Sequence, residues 1–281
     1  MLSYRHAFHA GNPADLLKHA LWLFVLRDAA AGEKPLYVLD THAGAGGYDL
    51  GSAAAQKTGE FHSGIERLLA APGPLPDLLA PYVEEVRKAN REGGLARYPG
   101  SPLLALSALR AEDRLDLVEL HPTDHRLLAE RLARRPAGGP QVRVEREDGL
   151  SWLVARMPPP ERRAAVLIDP SYEVKSDYEQ VARALARAWR RMGTGCFLLW
   201  YPVIERARSE TFLASLREAG LRRLWRIELC TAPDTPGRGM TGSGVVVVNP
   251  PPSLPASAAA ALPWLARALG ATGPCSAGPL V

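Results

Sequence analysis

The sequence predicts an α/β fold with a mostly parallel sheet. Short apolar runs of strand length alternate along the chain with longer segments of helical apolar period. Several carboxylates, Asp40, Glu119, Asp148 and Asp169, stand at or just after the ends of those runs. Ligands of open α/β sheets bind outside the carboxyl ends of the strands, so these four acids are placed to share one site.

A chain of 281 residues suits one large domain or two small ones. Its 47% hydrophobic and 23% charged content is that of a soluble globular protein able to bury a full core. A formal charge of +4 is compatible with a nucleic-acid partner held through phosphates, without deciding it. The cysteines, Cys196, Cys230 and Cys275, are far apart and form no CxxC, so neither a metal site nor a disulfide framework is expected, and a reducing cytoplasm fits best. The apolar run from Ala20 to Leu26 follows Asp15, Lys18 and His19 and is broken by Arg27-Asp28, which makes it a poor signal peptide and too short to span a membrane.

Residues 1–12 (MLSYRHAFHAGN) have no helical period and hold three histidines with Tyr4, Arg5 and Phe8. They read either as a solvated end or as an arm folded over the active site. A helix then starts at Asn12-Pro13, with a capping asparagine, a proline in the first turn and Asp15 three residues after the cap. Leu16, Leu17, Ala20, Leu21, Phe24 and Val25 make its apolar face, which sets Lys18, His19 and Trp22 on the other side. Leu36 to Asp40 is the first strand, and His42-Ala43-Gly44-Ala45-Gly46-Gly47 is the glycine-rich first βα turn that lets a nucleotide approach the backbone. An acid for ribose hydroxyls is expected about 20 residues after such glycines. The best candidate, Glu119, is much farther along, so residues 51–97 read as an inserted, mainly helical lobe within a single domain spanning 1–281. Ser101, after Tyr98-Pro99-Gly100, opens the next helix and can cap it. Asp148-Gly149 follows the strand Val142–Glu145, and Asp148 suits either the amino group of a bound nucleoside or the cap of the helix from Gly149.

The run 164–168 delivers Asp169-Pro170-Ser171-Tyr172 to one loop. A carboxylate and a proline carbonyl can both accept from an exocyclic amine and localise its lone pair, and Tyr172 could stack on the base. Alone, Asp-Pro also starts an ordinary turn. A helix with Arg183, Arg187, Arg190 and Arg191 follows, then a strand from Cys196, a helix from Glu205, strands 222–230 and 244–248, and a closing helix from Ala256. Thr231 to Ser243 reads as a long basic loop, and the tail after Gly270 as frayed. No Walker lysine follows the glycines, which counts against ATP.

The block from Leu2 to Asn12, with Asp15, Lys18 and His19, resembles the bacterial 23S ribosomal RNA adenine-N6 methyltransferase J family. So do Leu39 to Gly46, Tyr98 to Pro102, Glu119 to Pro122, Leu199 to Pro202, Arg238 to Thr241 and Asn249 to Pro251. The resemblance implies a Rossmann-like class I S-adenosylmethionine-dependent fold with a seven-stranded sheet, an antiparallel final strand and an inserted helical subdomain. It implies cofactor contacts at His19, His42, Ser101, Glu119, Asp148, Gly149 and Asp169. It further implies a catalytic acceptor at Asp169 and a substrate-side tyrosine at Tyr4. The loop chemistry adds Pro170 and Tyr172 to catalysis, with Tyr172 also on the substrate side, and the arm and first helix add His6 beside Tyr4, and Arg5 and Lys18 to meet phosphates flanking a flipped adenine. The expected partner is 23S rRNA, protein-free or in an early assembly precursor, bound by a cytoplasmic monomer. The family pattern at the loop is Asp-Pro-Pro-Tyr, and Ser171 stands in place of the second proline. A DNA adenine methyltransferase and a catalytically silent rRNA-binding protein are the alternatives; no added domain for reading duplex DNA is visible.

Overall fold

The computed structural model describes residues 4–235, 237 and 239–281. Leu2 and Ser3 of the opening block and Arg238 of the basic loop lie outside the described residues. A 3₁₀ turn, His6–Phe8, precedes α1, Pro13–Ala30. Then come β1 (Tyr37–Asp40), β2 (Gly47–Asp49), α2 (Ala53–Thr58), α3 (Glu60–Ser63), α4 (Ile65–Ala70), α5 (Ala80–Ala89), β3 (Arg97–Pro99) and α6 (Ser101–Ala108). The middle of the chain holds β4 (Arg114–Val118), α7 (Pro122–Ala133), β5 (Gln141–Glu145), α8 (Gly149–Arg156), β6 (Ala164–Ile168) and α9 (Ser176–Arg191). It closes with β7 (Cys196–Val203), α10 (Arg206–Glu218), β8 (Leu224–Cys230), β9 (Gly242–Val248), α11 (Leu254–Leu269) and β10 (Cys275–Pro279).

The sheet runs β10-β8-β9-β7-β6-β1-β4-β5. The five strands from β7 to β5 are parallel; β9 runs antiparallel between β7 and β8. Seven of these strands match the expected topology, with β9 as the antiparallel one. The eighth is a correction: the tail expected to fray instead pairs antiparallel with β8 from Cys275↔Leu229 to Pro279↔Trp225 and covers that edge.

Side chains alternate between two apolar cores, as the period of a strand requires. Val38, Leu115, Leu117, Ala165 and Leu167 face α1, α6 and α11; Leu39, Val118, Val166 and Ile168 face α8, α9 and α10. Helices α2 to α5 fall between β2 and β3, which pair as a short antiparallel ribbon, and Phe61, Ile65, Leu68, Tyr82 and Val83 join the α1 core. That packing explains a second correction. Helix α1 has no polar face: Lys18, His19 and Trp22 are buried along with its leucines. No helix among the described residues is long and apolar enough to cross a membrane.

Candidate active site

A cavity of about 790 Å³ opens at the carboxyl ends of β1, β4, β5 and β6. Its walls include Tyr4, His6, Lys18, His19, His42, Ser101, Glu119, Asp148, Gly149, Asp169 and Pro170. Among the candidate residues, Arg5 and Tyr172 are the two that do not line it.

At the centre lies a charge cluster built from α1 and the loop after β6. Asn12 caps α1 by accepting from Asp15 N at 2.9 Å. The cap turns the Asp15 carboxylate inward, where it accepts from Gly11 N (2.9 Å) and from His6 Nε2 (2.8 Å). Lys18, one turn on, reaches Asp15 Oδ1 at 2.9 Å and Asp169 Oδ2 at 2.6 Å. Burial works against the Lys18 charge, but Asp15 and Asp169 outweigh it and hold the pKa above its ordinary value. Burial also opposes ionisation of Asp15, yet His6, Lys18 and His19 keep it well below the usual carboxylate range. Asp169 stands the other way: burial raises it despite Lys18. Lys18 therefore meets no phosphate, contrary to expectation; its ammonium is already committed to the carboxylates of Asp15 and Asp169. Asp169 Oδ1 makes no hydrogen bond within the described residues, which leaves one oxygen open to a ligand.

The arm closes one side. Tyr4 Oη bonds His6 Nδ1 (2.8 Å) and His6 Nε2 bonds Asp15 (2.8 Å), so both ring nitrogens are held and the imidazole is fixed in place. Tyr4 stacks on His9 at 5.4 Å and remains 39% exposed, so its ring is available at the cavity mouth. His9 in turn bonds Glu60 at 2.8 Å. Arg5 was expected to meet phosphates; it bonds Asp124 at 3.0 Å and ties the arm to α7.

The opposite half suits a nucleoside. Gly44 adopts φ +58°, and a Cβ there would lie 2.3 Å from Tyr48 Oη, so the turn admits no side chain. Glu119 accepts from Gly44 N at 2.7 Å and His121 N at 2.6 Å, one to each oxygen, leaving acceptor capacity for a diol. Burial raises its pKa and those two N–H groups oppose the rise. Gly149 packs on the same turn: a Cβ would fall 1.9 Å from Thr41 O. Asp148 caps α8 through Ser151 N (2.7 Å) and still lines the cavity, so both of its expected roles fit. Burial lowers His42 to about 4 and His19 to about 3. His19 Nδ1 is held by Tyr98 Oη at 2.8 Å, itself bonded to Tyr82. Ser101 is the first residue of α6, buried beside the glycine turn. Asp40 is wholly buried, pushed up to about 7 by that burial, and its Oδ2 has no hydrogen-bond partner.

Tyr172 is the main departure from expectation. Its backbone lies at φ +52°, its hydroxyl donates to Trp200 O at 2.8 Å, and its ring packs on Tyr178 at 4.4 Å. Aromatic burial among Tyr178, Trp200 and Phe212 outweighs the left-handed backbone, so the ring anchors the loop from behind instead of facing a base. Asp15 is the residue the sequence did not reveal. A carboxylate at that position of a capped helix is ordinary, and only the neighbours brought in by folding make it the hub.

A seven-stranded order with one inserted antiparallel strand, a glycine turn after β1 and an acid at the end of β4 define a class I S-adenosylmethionine-dependent methyltransferase. The family model for ribosomal RNA large subunit methyltransferase D, RlmJ, matches residues 33–278, and the chain belongs to that family. It is 45% identical to the ribosomal RNA large subunit methyltransferase J of Escherichia coli K12, over 94% of this chain and 93% of that one. It is 42% identical to the protein of that name from Haemophilus influenzae, over 96% and 94%. The crystal structure of protein LPL1258 from Legionella pneumophila superposes with a TM-score of 0.86 at 36% identity, covering 96% of this chain and 97% of that one.

Proposed function

We propose that this enzyme methylates the N6 amino group of an adenine in 23S rRNA, acting as a cytoplasmic monomer on protein-free or early-assembly RNA. The observation that carries the reading is Asp169: one oxygen is held by Lys18 and the other is free, at the mouth of a cavity whose far half fits a nucleoside. S-adenosylmethionine, when bound, supplies an electrophilic methyl group. Its ribose suits Glu119, and its adenine suits Asp148 and Gly149. His19 and His42, kept neutral by burial, add no positive charge there.

The adenine amine is a weak nucleophile because its lone pair is delocalised into the ring. Asp169 Oδ1 and the Pro170 carbonyl accept from the two amine hydrogens and draw the nitrogen towards tetrahedral geometry. Lys18 restrains Asp169 and keeps it ionised, so that Asp169 Oδ1 receives the amine proton as the new bond forms. Tyr4 supplies a ring on the outer side of a flipped base. Incubation with methyl-labelled S-adenosylmethionine and protein-free 23S rRNA, followed by nucleoside analysis, should yield N6-methyladenosine. Label recovered in another nucleoside, or in duplex DNA instead of rRNA, overturns the proposal.

A further inference from the structure

A second cavity, of about 680 Å³, lies between α9 and α10, outside the site just described. Its floor is two aromatic rings, Tyr178 and Phe212, and two alanines, Ala182 and Ala186. Its charged lining consists of Lys175, Arg183, Arg187, Arg190 and Arg208, with Glu179 as the one carboxylate. Glu179, Arg183 and Arg187 recur every four residues, with Arg190 three further on, which aligns them along one side of α9. Glu179 pairs with Arg183 at 2.8 Å. Arg187 and Arg190 are exposed and make no ion pair among the described residues. Arg208 pairs with Glu205 at 3.0 Å, so Lys175, Arg187 and Arg190 are the cations of this lining without an ion pair among the described residues.

Helix α9 lies between the groove and the active site and borders both. Asp177, Gln180 and Val181 of that helix line the active-site cavity, while Tyr178, Ala182 and Arg183 line the groove. Tyr178 packs directly on Tyr172, which anchors the Asp169 loop. From Arg183 to Arg190 the helix advances about 10 Å at 1.5 Å per residue. That is about the rise of three stacked nucleotides in one strand.

We infer that this groove holds the single-stranded rRNA segment adjoining the target adenine, its phosphates on Arg183, Arg187 and Arg190 and a base on the apolar floor by Tyr178. Cations beside an aromatic surface suit a polynucleotide of any sequence. The groove would fix where the strand lies and leave the choice of adenine to the active site. The inference rests on the proposed RNA substrate.

The test compares wild type with the triple variant Arg183→Ala, Arg187→Ala, Arg190→Ala, and with the corresponding triple lysine variant. Binding of labelled, protein-free 23S rRNA is measured from 50 to 200 mM salt, with methyl transfer to the same RNA and calorimetric S-adenosylmethionine affinity alongside. Loss of three phosphate contacts should weaken RNA binding roughly tenfold or more at low salt and flatten the log–log salt slope by about 2. KM for RNA should rise while cofactor affinity stays at the wild-type value. The lysine variant, which keeps the charges, should retain most of the salt slope. A triple alanine variant with wild-type RNA affinity and slope, made in a protein whose wild type does methylate the RNA, overturns the groove alone. A wild type that transfers no methyl to rRNA overturns the functional reading, and the groove with it. A triple alanine variant whose cofactor affinity also collapses would show a folding defect; Arg187→Glu alone must then reproduce the RNA loss, and its failure to do so overturns the groove.

Discussion

Lys18 Nζ lies 2.9 Å from Asp15 and 2.6 Å from Asp169, inside a helix with no polar face. Removing it leaves the buried Asp15 and the partly buried Asp169 without their cation, a large cost when one partner of a buried pair is deleted. Burial already raises Asp169, with Lys18 as the main opposing influence. Lys18→Ala should therefore raise it further. In the proposed reaction Asp169 acts as an ionised acceptor, so activity is lost as pH falls through its pKa, and the acid limb of the variant should move to higher pH. Single-turnover rates across pH check this, and an unmoved limb would show that Lys18 does not set the ionisation of Asp169. Glu119 has a separate role. Glu119→Ala removes a charged acceptor, worth about 1.5–3 kcal/mol per hydrogen bond, and should weaken S-adenosylmethionine binding roughly tenfold or more by calorimetry. At this scale the sequence revealed the acids at strand ends, because each follows an apolar run. It hid Asp15, Lys18 and Tyr172, whose partners come from residues up to 151 positions away.

The arm is the element on which the proposed substrate side depends. Arg5–Asp124, His6–Asp15, His9–Glu60 and the Thr58 hydroxyl to the Phe8 carbonyl hold it across the cavity. Deleting residues 1–8 removes the Tyr4 ring and the His6 bond, but touches none of the groups that face the nucleoside half. Methylation of an rRNA fragment should fall at least about tenfold, in keeping with loss of a positioning wall, with cofactor affinity little changed. A wild-type rate would make the arm a passive end. Elements with a mainly apolar run were legible from the chain: β1, β6, β7 and β9 all fall where their sequences place them. The ribbon strands β2 and β3 were not, being three residues each and containing glycine or proline. Nor was β10, whose Cys-Ser-Ala-Gly-Pro has little strand propensity and is held by the edge of β8. Helix α1 was legible as a helix and misjudged as two-faced, because the helices between β2 and β3 cover the side that the sequence would leave to water.

Across the whole molecule, the sheet brings Asp40, Glu119, Asp148 and Asp169 to one end, the arm and α1 close over them, and α9 stands between the cavity and a cationic groove. The alternation of strands and helices made that architecture readable, since a parallel sheet collects its strand ends on one side. Which side chains would face the cavity was not readable, because it depends on how the inserted helices, the arm and α1 pack together. In the proposed reaction Asp169 supplies the acceptor for the target amine while other groups bind the cofactor. Asp169→Asn keeps the shape and removes the charge, so it separates the two. Measured with protein-free 23S rRNA, the variant should bind S-adenosylmethionine within about threefold of wild type and lose methyl transfer by about 10²–10⁴-fold, the range of a lost acid–base group. Retention of transfer within about tenfold of the wild-type rate, at unchanged cofactor affinity, would contradict the account.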